Sequence, residues 1–266
     1  MVTHILKKTD IAVRHFINLA YLGAPFHGWQ TQPDACSVQQ TLEEALTMVL
    51  RTPVAVVGAG RTDAGVNASM MIAHTDLPCR VDEDSSLVRA LNGIMGPSVV
   101  VRWIHPVHEG AHARFDATSR TYRYYAHLGR DPFVGPLSWQ APPTLDFGMM
   151  NRAAQVLLAP EDFTSFSKLH TDVKTNICHV AHAAWRPIDE PADLPGARRW
   201  VFESTADRFL RTMVRAVVGT LVEVGRGKLD VDGFRRVVEQ RDRCAAGTSM
   251  PGEPLFLHNV TYPYPI

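Results

Sequence analysis

The clearest hydrophobic pattern in the chain lies between Val38 and Leu50, where Val38, Leu42, Ala45, Leu46, Val49 and Leu50 share one apolar face. Their i, i+4, i+7, i+8 spacing predicts an amphipathic helix. Ser37 ahead of it and Gln40 three residues later form a capping-box pair, and Pro53 stops the helix. Shorter apolar or alternating runs predict strands at 14–22, 54–57, 69–74, 98–104 and 119–127. A helix from Ser85 to Met95, ended by Gly96-Pro97, precedes the strand over 98–104. The second half reads as a helix from Leu145 to Leu158, a strand over 177–186, a polar, proline-punctuated loop over 187–198 and a strand over 199–205. Helices over 208–224 and 231–240 and a closing strand over 255–261 complete it. Strands and helices mixed without regular βαβ repetition predict an α+β fold. A short arm, 1–9, precedes two halves of similar element content, 10–116 and 117–266, with no sequence repeat between them.

Composition narrows this only a little. Hydrophobic residues at 45% and charged residues at 20% are ordinary for a globular chain of 266 residues. No apolar run reaches the ~18 residues of a membrane span. The opening MVTHILKKTD carries two lysines without an apolar stretch after them, so a secretory signal is not expected and the cytoplasm is the default compartment. Cys36, Cys79, Cys178 and Cys244 are scattered and form no CxxC pair, which reads as reduced, mostly buried thiols. Cys178, His179 and His182 are the nearest approach to a metal cluster, but on a strand positions 179 and 182 face opposite ways, so no metal is expected. Acidic and basic residues balance at 27 each. Arginine supplies all the basic residues but Lys7, Lys8, Lys168, Lys174 and Lys228; that preference suits phosphate contacts and equally suits an arginine-biased genome.

The segment GAGRTDAGVNA, Gly58 to Ala68, is where chemistry is most concentrated. Asp63 sits among three glycines, beside Arg61, directly after an apolar run. A dinucleotide fingerprint would need a third glycine where Asp63 stands, and a P-loop would need a GK[ST] that is absent, so no nucleotide cofactor is expected. Two readings stay open on the residues alone. Asp63 could close a tight turn on its own backbone with Arg61 paired to it, or serve as an oriented nucleophile or base.

This segment resembles the signature of the tRNA pseudouridine synthase A (TruA) family, usually GRTDxGVHA, with Asn67 standing where the family has histidine. Further segments are similar to the family's motifs in the same order: YLGAPFHGWQ (Tyr21 to Gln30), SVQQTLEEAL (Ser37 to Leu46), HARFDATSRTYRYY (His112 to Tyr125), DFTSFSK (Asp162 to Lys168) and FLRTMVRAVVGTLVEVGRGK (Phe209 to Lys228). The closing TSMPGEPLFLHNVTYP matches only loosely. The resemblance implies the pseudouridine synthase fold, two α/β halves with a mixed, mostly antiparallel central sheet and a catalytic cleft between them. It implies isomerisation of uridine to pseudouridine on the 3′ side of the anticodon arm of tRNA, by a homodimer and without a cofactor. It makes Asp63 the catalytic residue, places Arg61 in the same cleft, and makes Tyr122 the tyrosine that stacks on the target base. It also assigns Arg215, otherwise an expensive charge in an apolar helix or a snorkelling one, to the catalytic aspartate.

Around these, Arg61, Tyr122, Arg114 and Arg123 are the expected substrate-binding residues, with Arg120 beside them, although single arginines are more often solvated charges. Tyr124 shares the parity of Tyr122 and is expected to support it from the core. Trp29 reads as a core anchor rather than a stacking platform, and Arg208 and Arg211, at the start of the 208–224 helix, as solvent- or phosphate-facing. A paralogue acting on other uridines or RNAs, or an RNA-binding module without catalysis, are the alternative readings.

Overall fold

The computed structural model describes residues 12–78, 80–81, 86–159, 162–168, 175–188 and 198–266. The arm 1–9, Cys79, Lys7, Lys8, Lys174 and most of the 187–198 loop lie outside the described residues. Nine strands and five α-helices are found among those described, in two compact units. The first comprises residues 1–118 and 257–266, the second 119–256. No helix among the described residues is long and apolar enough to cross a membrane.

The first unit opens with β1 (Val13–Tyr21), followed by α1 (Val38–Leu50), β2 (Val57–Gly58), β3 (Asn67–Leu77), α2 (Ser86–Ile94) and β4 (Val99–Pro106). Antiparallel β3 and β4 flank β1 on either side, and its centre, Phe16 to Leu19, is an unbroken buried run, as in a strand covered on both faces. The closing strand β9 (Leu255–Thr261) lies beside β3. Residues 257–266, expected in the second half, pack with the first unit, where the Tyr262 and Tyr264 rings lie tilted against Phe16 at 5.0 and 6.3 Å.

Helix α1 keeps the boundaries that its periodicity predicts. The Ser37 Oγ accepts the Gln40 amide at 3.2 Å, but the Gln40 side chain donates to Glu44 instead of returning to the cap. Loop carbonyls complete the helix start: Val38 N donates to Gly28 O and Gln39 N to Trp29 O. The expected strand over 54–57 shrinks to the two residues of β2. Side chains take the place of a ladder there, with Val56 N donating to Glu43 Oε1 at 2.9 Å and Thr75 Oγ1 donating to Ala55 O at 2.9 Å.

The far end of β3 carries a polar core. The buried His74 imidazole accepts the Ala113 amide through Nδ1 at 3.1 Å, and its ring meets His112 at 4.5 Å. Burial first, then the Arg14 and His112 charges, push its pKa down to about 4. The unfolded chain, with an ordinary imidazole near 6.5, therefore binds more protons than the native one between those values. Stability held above pH 6.5 is lost as the pH falls towards 4. Between pH 7.5 and 5 the His74 contribution should amount to about 2 kcal/mol. Urea unfolding at the two pH values measures it. His74→Asn, which keeps an acceptor for Ala113 without the titration, should flatten the dependence by about that much, and an unchanged slope would refute the assignment.

The second unit contains β5 (Ser119–Leu128), β6 (Trp139–Ala141), α3 (Phe147–Ala154), β7 (Val180–Ile188), β8 (Arg199–Ala206), α4 (Met213–Gly225) and α5 (Val231–Gln240). Here β8 pairs antiparallel with both β5 and β7, and β6 runs parallel to β5. The expected helix over 145–158 starts at Phe147, capped by Asp146, whose Oδ1 accepts Met149 N at 2.8 Å, and tightens to a 3-10 turn over Gln155–Leu158. Phe147 stacks on Trp200 at 4.0 Å and anchors α3 to the sheet.

Helix α4 is buried at every residue but Arg215 and Glu223. It starts at Met213 rather than 208, because Thr212 takes φ of +62°, a left-handed conformation that interrupts a helix. Arg208 and Arg211 thus precede the helix. Of the three described cysteines, Cys36 and Cys244 are exposed, which corrects the expectation of mostly buried thiols. Cys178 is buried, and burial pushes its thiol up to about 12.

Candidate active site

Asp63 lies in a loop of the first unit that is held by two backbone hydrogen bonds and one between side chains. Its carbonyl accepts Val66 N at 3.1 Å, closing a turn in which Gly65 takes φ of +77°. That positive φ at the third turn position is what a type II turn requires, and glycine adopts it without strain. The neighbouring Thr62 is buried; its Oγ1 bonds the Tyr21 hydroxyl at 2.8 Å and its carbonyl accepts Trp29 N at 3.1 Å. Asp63 itself is half-buried and Arg61 exposed.

The loop over 23–36 forms the wall behind it. Trp29 is 3% exposed, which makes it the core anchor expected, and its indole fills the space that a side chain at Gly58 would need. Gly28 adopts φ of +94°, and a Cβ there would stand 2.5 Å from Thr62 O. Asn67 joins the two loops: it is 1% exposed and its Oδ1 accepts Gly23 N at 2.7 Å. The residue that stands where the family has histidine thus serves here as a buried acceptor in the loop architecture. Neither Tyr21 nor Thr62 is visible as a brace in the sequence, because strand and loop positions that meet only in space leave no periodic signal.

The second unit holds Tyr122, Arg123 and Arg215. The half-buried Tyr122 ring rests edge-on against Phe209 at 5.0 Å, just ahead of α4. Tyr124, on the same face of β5, is fully buried, and among the described residues its hydroxyl finds no hydrogen-bond partner. Burial drives the Tyr124 phenol strongly up, with the Arg215 charge acting the other way. The Arg215 guanidinium is clamped through its Nε, which donates to Met250 O at 2.6 Å, while Met250 N returns a bond to Arg215 O at 3.1 Å. The 247–250 segment can lie this close because Gly219 has no side chain; a Cβ there would fall on Thr248 O.

The remaining expected arginines have different surroundings. Arg123 Nε donates to Glu203 Oε2 at 2.6 Å across the β5–β8 register, and Arg186 and His182 each lie 4.0 Å from the same carboxylate. These three basic groups and the Arg123 hydrogen bond hold Glu203 below the usual carboxylate range against its burial. Arg120 donates to Asp207 O at 2.8 Å, and His179 contacts the Asp207 carboxylate at 3.0 Å. Arg114 is exposed, beside Phe115 in the first unit.

A family model described as tRNA pseudouridine synthase matches residues 153–263. Proteins named tRNA pseudouridine synthase A are similar over nearly the whole chain. The one from Parabacteroides distasonis is 56% identical over 94% of this chain and 96% of its own length. That of Porphyromonas gingivalis is 53% identical over 94% and 97%, and that of Bordetella parapertussis 40% identical over 93% and 90%.

Proposed function

The chain belongs to the tRNA pseudouridine synthase family, and from that membership we propose that it isomerises uridine to pseudouridine in the anticodon arm of tRNA, with Asp63 as the catalytic carboxylate. The observation that carries the reading is the 56% identity that runs over nearly the full length of both chains. In the reaction the bond from C1′ to N1 of uracil breaks, the base turns, and C1′ joins C5, whose proton leaves to solvent while N1 takes one up. Nothing is oxidised and no group is imported.

Asp63 is suited to this work because its turn is braced through backbone and through Thr62, leaving its carboxylate on a fixed stem. A target uridine must leave its stack to be reached. Tyr122, set edge-on against Phe209, is the proposed surface for the flipped base. Arg215, oriented by Met250, is the proposed supporting cation. Arg61 and Arg114 are exposed and are the proposed substrate contacts, with Arg123 held by Glu203 as a third on the Tyr122 strand. The proposed working form is a cytoplasmic homodimer.

The test is tritium release from unmodified tRNA labelled at C5 of uridine, followed by mapping of the product. One equivalent released per modified site, located in the anticodon arm, is the expected result. Release from uridines elsewhere would overturn the assigned arm, and no release the activity itself.

A further inference from the structure

We propose that Phe115 is a fixed stacking platform for an unpaired base of the RNA substrate, well away from the residue that performs the chemistry. This deepens the reading above and rests on it for the identity of the RNA. Phe115 is 75% exposed. A lone exposed aromatic is common on protein surfaces and by itself means little. This one is mounted.

The turn that carries it is tied down on every side. His112 Nδ1 accepts the amides of both Arg114 and Phe115, at 3.1 and 3.2 Å. The Asp116 carboxylate accepts His112 N at 2.7 Å and the Tyr264 hydroxyl at 2.6 Å. Ala113 donates to the buried His74, its carbonyl accepts the Tyr262 hydroxyl at 2.7 Å, and Arg14 donates to Ala111 O at 2.7 Å. The His112 ring then stacks on the phenyl itself, at 4.2 Å and 28°. Those hydrogen bonds stabilise the turn, whereas leaving an apolar ring exposed on it gains nothing for the fold. Holding the ring in place does remove the entropic cost of ordering it when a partner arrives.

The chemistry beside the ring selects the partner. The Arg114 guanidinium lies over the ring, 5.9 Å from its centroid. An exposed aromatic face with an adjoining arginine matches an unpaired nucleotide, the ring taking the base and the cation its phosphate. Position then separates this site from catalysis. His74, on which the turn rests, is six residues along β3 from Ala68, the partner of Tyr21 beside the Asp63 loop. At strand rise that is roughly 20 Å. Set off in this way from the Asp63 loop, Phe115 is the proposed contact for a nucleotide other than the one being isomerised.

Steady-state kinetics on an unmodified tRNA transcript test this with Phe115→Ala, Phe115→Leu and Phe115→Trp. Losing one stacked base should raise KM roughly tenfold for Ala, with the effect falling on KM and not on kcat. Trp should restore KM and Leu should not, since stacking needs a π face. A KM within twofold of the native protein for Ala, or rescue by Leu, overturns the proposal. So does a change in sedimentation with Ala at unaltered KM, which would make the ring a contact with a second copy. Anisotropy of labelled transcript with the same proteins reads the platform without turnover, so a native protein that forms no pseudouridine would sink the catalytic reading alone. Arg114→Ala should lower the salt dependence of that binding by about one phosphate contact.

Discussion

Asp63→Asn is expected to abolish pseudouridine formation while leaving the protein folded and able to bind tRNA. The substitution conserves shape, and the turn is closed by the Asp63 carbonyl and braced through Thr62, Tyr21, Gly23 and Asn67. An amide is neither a useful nucleophile nor a base, so the chemical step should fall by roughly 10³-fold or more. Tritium release from labelled tRNA gives the rate, and anisotropy with the same RNA gives the affinity. A variant that releases tritium at more than a tenth of the native rate would remove Asp63 from its role. One that loses affinity in step with rate would make it a binding residue instead.

The second large effect is expected at Gly28, in the loop that backs Asp63. Alanine there must adopt φ of +94° and bring its Cβ within 2.5 Å of Thr62 O and 3.2 Å of the Asp63 carbonyl carbon. Both obstacles are backbone, so neither can swing aside. Strain and overpacking together should cost about 3 kcal/mol in urea unfolding. Because the displaced atoms belong to Thr62 and Asp63, the rate should fall about 10²-fold in the molecules that remain folded. Gly96→Ala is the control: φ is +72° but nothing lies within 4 Å, so it carries the conformational cost without the clash. If Gly28→Ala behaves no worse than Gly96→Ala in both stability and rate, the packing of the 23–36 loop does not set the position of Asp63.

These two predictions draw on different kinds of information. Asp63 is legible in the sequence because its neighbours are glycines in a specific order and because several further motifs follow at compatible spacing. Helix α1 is legible for a related reason: helical periodicity and the Ser37 cap are local, and they fixed both of its ends. The closing strand β9 and helix α5 also keep their expected bounds. Where the sequence misleads, a nonlocal or conformational effect intervenes. Val54 to Val57 is as apolar as any strand, yet α1 side chains satisfy its backbone and leave only Val57 and Gly58 in the sheet. The apolar run over 208–224 looks helical from its start, but the left-handed Thr212 delays α4 to Met213.

The same division runs through the site. Residue types and their order determined the α+β class, the candidate carboxylate and the family, since each depends on patterns carried along the chain. Only the tertiary structure decided what holds Asp63 in place. The brace consists of Tyr21, Gly28, Thr62 and Asn67, residues up to 46 positions apart that meet through strand pairing and two facing loops. It also turned Asn67 from a departure in a motif into a buried hydrogen-bond acceptor, and bound Arg123 to Glu203. Burial and partnership are properties of packing. A sequence states which groups can form hydrogen bonds, whereas the fold decides which of them water no longer reaches.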